Sequence, residues 1–360
     1  MSDKADPGAS GSVSLRGRGA ASNPANRFAA VSYERDSEWD PEEDPSPKTQ
    51  FFRDHSKSII SYNDSPDIGF EASINPYRGC EHGCAYCYAR PYHEYLGFSS
   101  GLDFETKIVV KEDAPELLRK ELSSPKWKPQ VLAMSGVTDP YQPIERTLKI
   151  TRRCLEVLAE FRNPTAIVTK NFLVTRDIDL LRELARFEAV GVFVSLTTLD
   201  AGLARAMEPR TAQPAARLRA VEMLANAGVP VGVLVAPVVP ALNEPEMPAI
   251  LAAAGRAGAS YAGYVVLRLP YAVKTLFEDW LHRHFPDRAE KVLNRIREMR
   301  GGKLNEAQFG SRMKGEGIFA EQIKQLFAVA RCKAGIPQRE LKLSVAAFRR
   351  PGLQQLPLPM

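Results

Sequence analysis

Short apolar runs alternate with amphipathic stretches between about residue 70 and residue 270. The runs predict strands at about 71–77, 130–135, 165–170, 191–197, 230–236 and 262–268. The amphipathic stretches predict helices at about 113–123, 144–162, 176–187, 213–227 and 246–257. Because an alternation of strands and helices is typical of a parallel sheet, the pattern predicts an α/β fold.

The parts of the chain on either side of this pattern differ in composition. Residues 1–50 contain six Lys or Arg and nine Asp or Glu, for a net charge of −3, and few large apolar residues. Such a segment buries too little surface to fold alone, so it is predicted to be disordered. Residues 51–270 are then expected to form the sheet domain, and residues 271–360 a helical C-terminal extension.

The C-terminal extension is basic. Residues 275–360 contain sixteen Lys or Arg and nine Asp or Glu, for a net charge of +7. A basic segment can attract the phosphates of a nucleic acid. Exposed helices with a solvated charged surface give the same pattern, so both interpretations stay open.

Cysteine usage and hydropathy bear on the compartment. The chain has five cysteines in 360 residues, which does not fit a disulfide framework. Neither a signal peptide nor an apolar run long enough to span a bilayer is recognised. These features favour a cytoplasmic protein that does not interact with a membrane.

Three cysteines form the most informative motif of the chain. Cys80, Cys84 and Cys87 have the spacing C-x3-C-x2-C. Iron–sulfur clusters are normally held by four cysteine thiolates, so three thiolates on one loop would leave one iron of a four-iron cluster open to another ligand. The alternative is a zinc site with His82 or His93 as fourth ligand. The protein would then be a non-catalytic metal-binding protein that binds nucleic acid through its basic tail.

Polar side chains recur where successive predicted strands end. Thr138 follows the second strand, Lys170 ends the third, Ser195 lies near the end of the fourth and Arg268 ends the sixth. In parallel α/β barrels the functional groups gather at the carboxyl ends of the strands. These residues are therefore expected to lie near the cysteines, which follow the first strand.

The cysteine spacing, with Tyr86 just before the third cysteine, resembles the radical S-adenosylmethionine (SAM) superfamily. Over residues 70–270 the chain is similar to its spore photoproduct lyase-related group, often labelled "DNA repair photolyase", and to a bacterial branch of that group with no assigned reaction. The likeness is carried by the cysteine motif, Thr138-Asp139, Val168-Thr169-Lys170, Val194-Ser195, Glu208-Pro209-Arg210-Thr211 and the run from Gly232 to Pro237.

The resemblance implies a partial (β/α)6 TIM-like barrel and a role for each matching residue. Cys80, Cys84 and Cys87 would ligate a [4Fe-4S] cluster whose open iron binds SAM. Tyr86, Thr138, Lys170, Ser195 and Arg210 would bind SAM, and Tyr88 matches a tyrosine that relays hydrogen atoms. A flavodoxin or ferredoxin would supply electrons. Together with the basic C-terminal region, the resemblance favours a nucleic-acid substrate.

One departure from the group bears on the reaction. Members that repair the spore photoproduct carry a cysteine hydrogen-atom donor just before the pair that matches Thr138-Asp139, and residues 134–139 contain no cysteine. The implied activity is therefore cleavage of SAM to a 5′-deoxyadenosyl radical that abstracts hydrogen from an unidentified substrate. Repair of thymine dimers is not expected.

Overall fold

The structure, a computed structural model, describes residues 15–29 and 47–351. Within these ranges the strands are β1 (Gln50–Arg53), β2 (Ile60–Tyr62), β3 (Ala72–Ile74), β4 (Tyr77–Arg78), β5 (Lys107–Val110), β6 (Leu132–Met134), β7 (Thr165–Thr169), β8 (Val190–Ser195), β9 (Val231–Val238) and β10 (Tyr261–Val266). The α-helices are α1 (Leu102–Thr106), α2 (Ala114–Ser123), α3 (Glu145–Leu148), α4 (Ile150–Phe161), α5 (Ile178–Ala185), α6 (Ala201–Met207), α7 (Pro214–Asn226), α8 (Met247–Arg256), α9 (Val273–His284), α10 (Pro286–Glu298) and α11 (Gly317–Lys333).

The main sheet has the strand order β10-β9-β8-β7-β6-β3-β2. All neighbours pair in parallel except β2, which runs antiparallel to β3 at one edge. The six parallel strands are those that the hydrophobic pattern predicts, and they follow each other in chain order. The predicted α/β fold with a parallel sheet is therefore confirmed. We call the edge formed by the carboxyl ends of β3 and β6–β10 the strand-end face.

The strands are rich in Val and Ile because helices cover the sheet and bury it. Ile74, Met134, Ile167, Val192 and Val231 form one row across five neighbouring strands, and each is almost fully buried. Helix α4 packs against this core through the face that carries Cys154, Leu155 and Leu158.

The predicted helix at 144–162 is two helices. Lys149 lies between α3 and α4 with a left-handed backbone conformation, φ 53°. Such a residue ends the hydrogen-bonding pattern of a helix. Apolar periodicity continues across the break, so the sequence pattern alone does not reveal it.

The C-terminal helices pack beside the strand-end face. Phe277, Trp280 and Leu281 of α9 belong to the same hydrophobic cluster as Cys84 and Tyr86. Helix α11 packs on α8 at the outside of the sheet, where the ring of Phe327 lies 4.8 Å from that of Tyr264. No helix in the described part of the chain is long and apolar enough to cross a membrane.

Residues 15–29 pack against the domain and do not stand apart from it. Leu15 and Ala20 are buried, and the backbone N–H of Leu102 donates to the carbonyl of Ser22 at 3.1 Å. The predicted disorder of residues 1–50 therefore does not describe this stretch. The rest of that prediction falls largely on residues 1–14 and 30–46, which lie outside the described residues. The division of the chain at residues 50 and 270 stays a prediction.

A second, three-stranded sheet with the order β1-β5-β4 lies next to the cysteines. Strand β1 pairs in parallel with β5, and β4 pairs antiparallel to it. The sequence pattern did not predict this sheet, because its strands are short and β1 is exposed. This small sheet helps to position the cysteine motif, because Cys80 lies two residues after the end of β4.

Candidate metal and cofactor site

The cysteine loop, defined as residues 79–90, is fixed at its start by a close approach of backbone segments. Gly79 has φ 77°, and a Cβ there would lie 3.0 Å from the carbonyl oxygen of Phe104. Only glycine adopts this conformation readily. The N–H of Cys80 then donates to the same Phe104 carbonyl at 2.8 Å. The beginning of the loop is thus tied to the end of α1.

The three thiols are largely shielded from solvent. Cys80 and Cys84 are buried and Cys87 is partly buried. Burial raises the pKa of all three, and for Cys80 the charges of Asp139 and Cys84 raise it further. Lys170 opposes this effect at Cys84 and Cys87. A metal ion ionises a coordinating thiol outright, so these buried thiols fit a metal-bound state.

The donor set consists of thiols, the usual ligands of iron–sulfur clusters. A four-iron cluster binds each thiolate at a different iron. The donor set of three thiols on one loop therefore fits the predicted cluster.

A buried ion pair supports the loop from behind. Arg90 is fully buried and donates to the carbonyl of Cys84 from Nε at 3.1 Å and from Nη2 at 2.9 Å. It also pairs with Glu105. The Glu105 carboxylate accepts the backbone N–H groups of Gly19 at 3.1 Å and Ala20 at 2.9 Å. The N-terminal segment therefore belongs to the support of the cysteine loop.

The contact between this segment and the loop leaves no room for a side chain. A Cβ on Gly19 would lie 1.8 Å from the carbonyl oxygen of Gly83 and 3.0 Å from the backbone nitrogen of Ala85. Real Cβ atoms do not approach backbone this closely. Gly19 is thus required for the segment to lie where it does.

Asp139 joins the loop to the ends of β6 and β7. Its carboxylate lies 3.3 Å from His82 Nδ1 and accepts the Thr169 hydroxyl and the Lys170 N–H, each at 2.7 Å. Burial alone would raise the pKa of Asp139, but His82 and these hydrogen bonds hold it below its usual value. The sequence marks Asp139 only through the family likeness, whereas in the structure it orients a histidine of the cysteine loop.

The two histidines near the cysteines differ in the partners of their ring nitrogens. The second ring nitrogen of His82 lies 3.2 Å from the Asn171 amide, so both of its nitrogens have partners. His93 packs against the rings of Phe98 and Phe104, and its Nε2 is buried without a hydrogen-bond partner. Burial lowers the pKa of His93 to about 4.

A buried carboxylate holds Tyr86. Glu208 accepts the Tyr86 hydroxyl, accepts the Thr197 hydroxyl at 2.5 Å and pairs with Arg217. Burial favours the neutral acid, yet Arg217, followed by Lys170, keeps the pKa of Glu208 below its usual value. The aromatic residue of the cysteine motif therefore has a fixed position beside Cys84.

The predicted SAM-binding residues lie on the strand-end face. Thr138 is buried and donates to the carbonyl of Tyr77 at 3.3 Å. Lys170 follows β7, with Nζ 5.8 Å from the centre of the Tyr86 ring. Ser195 ends β8 and is also buried, and its carbonyl accepts from Arg217 at 3.1 Å. Thr138, Lys170 and Ser195 thus end three neighbouring segments, but their contact with SAM stays a prediction.

Arg210 is engaged within the protein. Its guanidinium lies 3.0 Å from Glu81 and donates to the Thr49 hydroxyl at 3.2 Å. Glu81 is buried in the cysteine loop and also accepts the N–H of Ile144 at 2.8 Å. Arg210 therefore helps to hold the cysteine loop, and its contact with SAM stays a prediction.

Tyr88 stands at the outer side of the loop. Its ring is 42% exposed, and its hydroxyl donates to the carbonyl of Gly136 at 2.6 Å. The guanidinium of Arg268 lies 5.1 Å from the ring centre. Desolvation of the hydroxyl raises the pKa of Tyr88 to about 12, so it stays protonated near neutral pH.

Several residues of the site were not predicted from the sequence. Arg90, Glu105 and Arg217 carry the buried ion pairs, and Gly19 closes the N-terminal contact. Glu208 belongs to a stretch noted only for its family likeness. No local pattern marks it as buried, because a carboxylate after a helix is usually exposed.

Comparisons with known proteins agree with this geometry. The sequence model described as the radical SAM superfamily matches residues 74–254, which include all three motif cysteines. An uncharacterized protein of Mycobacterium tuberculosis is 38% identical over 237 residues, 64% of this chain and 68% of that protein. An uncharacterized protein of Methanocaldococcus jannaschii is 30% identical over 178 residues, 49% of this chain and 64% of that protein.

A solved structure has a similar fold. A mutant spore photoproduct lyase with bound AdoMet and a dinucleoside spore photoproduct superimposes with a TM-score of 0.54 at 18% identity. The likeness covers 78% of this chain and 77% of that chain. At this level of identity the comparison concerns the fold alone.

Proposed function

Because this chain belongs to the radical SAM superfamily, we propose that it is an enzyme in which Cys80, Cys84 and Cys87 hold a [4Fe-4S] cluster and the strand-end face holds SAM. When bound and reduced by one electron, such a cluster cleaves the C5′–S bond of SAM, which yields methionine and a 5′-deoxyadenosyl radical that takes a hydrogen atom from a substrate. The observation that carries the proposal is the buried loop with three thiols on the strand-end face.

Within this proposal Lys170 binds the SAM carboxylate. Its ammonium group lies near Tyr86 and acts electrostatically on Cys84 and Cys87. A cation at this position suits a carboxylate next to the thiols, since charge-assisted hydrogen bonds are the strong ones. Thr138 and Ser195 offer hydroxyl groups from the neighbouring strand ends for the remaining polar atoms of SAM.

Tyr86 and Tyr88 take different parts in the proposal. The hydroxyl of Tyr86 is bound to Glu208, so its ring is held beside Cys84. Tyr88 keeps its proton and faces the outside of the loop, where it can donate a hydrogen atom to a product radical. We propose a reduced flavodoxin or ferredoxin as electron donor and the cytoplasm as compartment.

The test is electron paramagnetic resonance of the anaerobically reconstituted, reduced protein with and without SAM. We expect a reduced four-iron signal that changes when SAM is added, and release of 5′-deoxyadenosine. Cys84→Ala should lose the signal, whereas Cys332→Ala, which removes an exposed thiol on α11, should keep it. Lys170→Met should keep the signal and weaken its response to SAM.

Two results would contradict the proposal. Tightly bound zinc without iron would favour the alternative of a metal-stabilised nucleic-acid-binding protein. A cluster whose signal ignores SAM at saturating concentration would leave an iron–sulfur protein without radical SAM chemistry.

A further inference from the structure

Five exposed aromatic side chains form a surface beside the cysteine loop. We call this surface the mouth platform, and its members are Phe28, Tyr88, Tyr92, Tyr95 and Tyr271. Their exposed fractions run from 42% for Tyr88 to 68% for Tyr95. Large exposed apolar patches of this kind commonly mark an interaction site.

Ring contacts join three members of the platform. The rings of Tyr92 and Tyr95 lie 6.4 Å apart, and those of Tyr95 and Phe28 lie 4.9 Å apart. Arg27 continues the surface, with its guanidinium 3.7 Å from the ring of Tyr271. Its charge is balanced by Glu94, so Arg27 acts as a spacer between rings.

Arg268 adds a cation at the end nearest the cysteines. The guanidinium of Arg268 lies over the ring of Tyr88. Burial lowers the pKa of Arg268, and the hydroxyls of Tyr88 and Tyr92 both act to raise it. Among residues 15–29 and 47–351, no carboxylate pairs with Arg268, and Asp67 is already bound to Arg312 at 2.5 Å. Arg268 Nε is buried without a hydrogen-bond partner.

An unpaired, partly desolvated guanidinium is costly, and the cost is offset when an anion binds. The remaining polar contact of Arg268 is a weak one, with Nη1 3.6 Å from the sulfur of Met313. The position therefore suits an anionic group that arrives with a ligand. Arginine binds phosphate and carboxylate with two parallel hydrogen bonds.

The basic C-terminal extension is a weaker candidate for the same ligand. Arg300 donates to the carbonyls of Leu267 and Ser311, at 2.9 Å and 3.1 Å. Lys314 donates to the carbonyl of Tyr264 at 2.6 Å. The side chains of Arg300 and Lys314 are thus engaged within the fold.

We propose that the mouth platform binds single-stranded nucleic acid, with bases stacked on Tyr92, Tyr95 and Phe28 and a backbone phosphate on Arg268. Every base has a flat π face, and exposed aromatic rings next to cations are the usual means of binding unpaired strands. The inference rests on the proposed function, because it would bring one nucleotide to Tyr88 and the thiols.

Two other occupants fit less well. In a symmetric dimer formed by this surface, the same patch meets itself, so the two Arg268 side chains would approach each other or stay unpaired. A peptide bound as an added strand needs a free sheet edge, and the platform is built from a short 3₁₀ helix, Arg90–Leu96, and three loops.

The experiment measures binding of fluorescent oligo-dT and oligo-rU of about 12 nucleotides to the reconstituted protein by anisotropy, under anaerobic conditions. A duplex of the same length serves as competitor. We expect Tyr92→Ala and Tyr95→Ala each to weaken single-strand binding about fivefold or more. Tyr95→Phe should retain binding. The duplex should compete poorly, because its bases are already stacked.

The control for the aromatic variants is Tyr62→Ala. Tyr62 is as exposed as Tyr95, but it pairs with Ala72 at the start of β3, on the opposite edge of the sheet from the thiols. The Tyr62→Ala variant should bind oligonucleotides as tightly as the unmodified protein does. Arg268→Gln should reduce the slope of log affinity against log salt by about 0.7, the value for one phosphate on a single strand.

The outcomes separate this inference from the proposed function. The platform would be overturned if no oligonucleotide bound at low salt, or if Tyr62→Ala and Tyr95→Ala lost the same amount of binding affinity. Release of 5′-deoxyadenosine could persist in either case, so the proposed function would stand. Self-association that Tyr95→Ala abolishes, without oligonucleotide binding, would instead identify a dimer surface and also overturn it. Intact binding without SAM cleavage would refute the proposed function and leave the platform. The affinities for oligo-dT and oligo-rU show whether the platform prefers DNA or RNA.

Discussion

Replacement of Glu208 by Gln is expected to destabilise the iron-free protein by about 3 kcal/mol, the lower end of the range for breaking a buried ion pair. The change leaves Arg217, which is 1% exposed, without its counter-charge. It also weakens the hydrogen bonds from Tyr86 and Thr197, which lose a charged acceptor.

The lower end applies because Arg217 keeps three other acceptors. It donates to the carbonyl of Ala212 at 2.7 Å, to that of Ser195 at 3.1 Å and to the Thr211 hydroxyl at 2.5 Å. A glutamine of similar shape also fills the space of the carboxylate, so no cavity term is added. The expected loss is therefore electrostatic.

The assay is urea unfolding of iron-free, reduced protein, because a bound cluster would add its own binding free energy to the stability. Glu222→Gln is the matched control, since Glu222 lies on the exposed side of α7, the helix that also carries Arg217. It should unfold at the same urea concentration as the unmodified protein. The Glu208→Gln transition should shift to lower urea.

The pH dependence gives a second readout with a definite sign. The folded pKa of Glu208 is below the value of 4.5 for a free glutamate, although burial opposes this. The folded state therefore gains stability above pH 4.5, and loses it as the pH falls through the folded pKa. Glu208→Gln should show a shallower loss in acid. Equal stability at pH 7, or an unchanged acid response, would refute the account of this network.

Two further predictions concern the surroundings of the thiols. Gly19→Val should detach the N-terminal segment and speed amide hydrogen exchange in residues 15–29 by about fivefold or more, from an overpacking cost of about 1–3 kcal/mol. Gly69→Val, whose added side chain meets no atom within 4 Å, should leave the exchange unchanged. Unchanged exchange in Gly19→Val would show that the segment is not held by this contact. Because burial lowers the pKa of His93 to about 4, the unfolded chain binds its proton first, so the urea midpoint should fall as the pH drops from about 6.5 to 4. His93→Gln should flatten that slope, and a variant with the same slope would mean that another group titrates there.

The sheet could be predicted because its physical cause is visible along the chain. Parallel strands covered on both sides need continuous Val and Ile runs, such as those of β8 and β9, and the predicted bounds fall within a few residues of the observed ones. The cysteine motif was visible for a similar reason, since its spacing is local. Both features depend on neighbours in sequence.

The support of the loop could not be predicted because it depends on contacts between distant segments. Glu105 reaches Gly19 and Ala20 across more than 80 positions, through backbone N–H groups that no side-chain pattern reveals. The low apolar content of residues 1–50 is real, but burial of a few backbone groups against a carboxylate compensates for it in residues 15–29. In the C-terminal extension the charge was visible and its pairing, as for Arg300, was not.

The supports of the loop share one electrostatic property. Three buried carboxylates around the thiols are each matched by one arginine, in the pairs Glu81–Arg210, Glu105–Arg90 and Glu208–Arg217. Buried ion pairs are poor sources of stability compared with apolar residues of the same volume, so stability alone does not explain three of them. What they supply is fixed geometry without added net charge.

This neutrality has a consequence for Lys170. These three carboxylates have arginine partners, and a fourth, Asp139, lies against His82 and accepts the backbone N–H of Lys170. The ammonium group of Lys170 forms no ion pair within the described residues, so a carboxylate that enters beside Cys84 and Cys87 finds it without a partner. Preorganised charge of this kind costs nothing at the moment of binding. The loop's neutral framework thus supports the predicted contact between Lys170 and the carboxylate of SAM more strongly than the position of Lys170 at a strand end does.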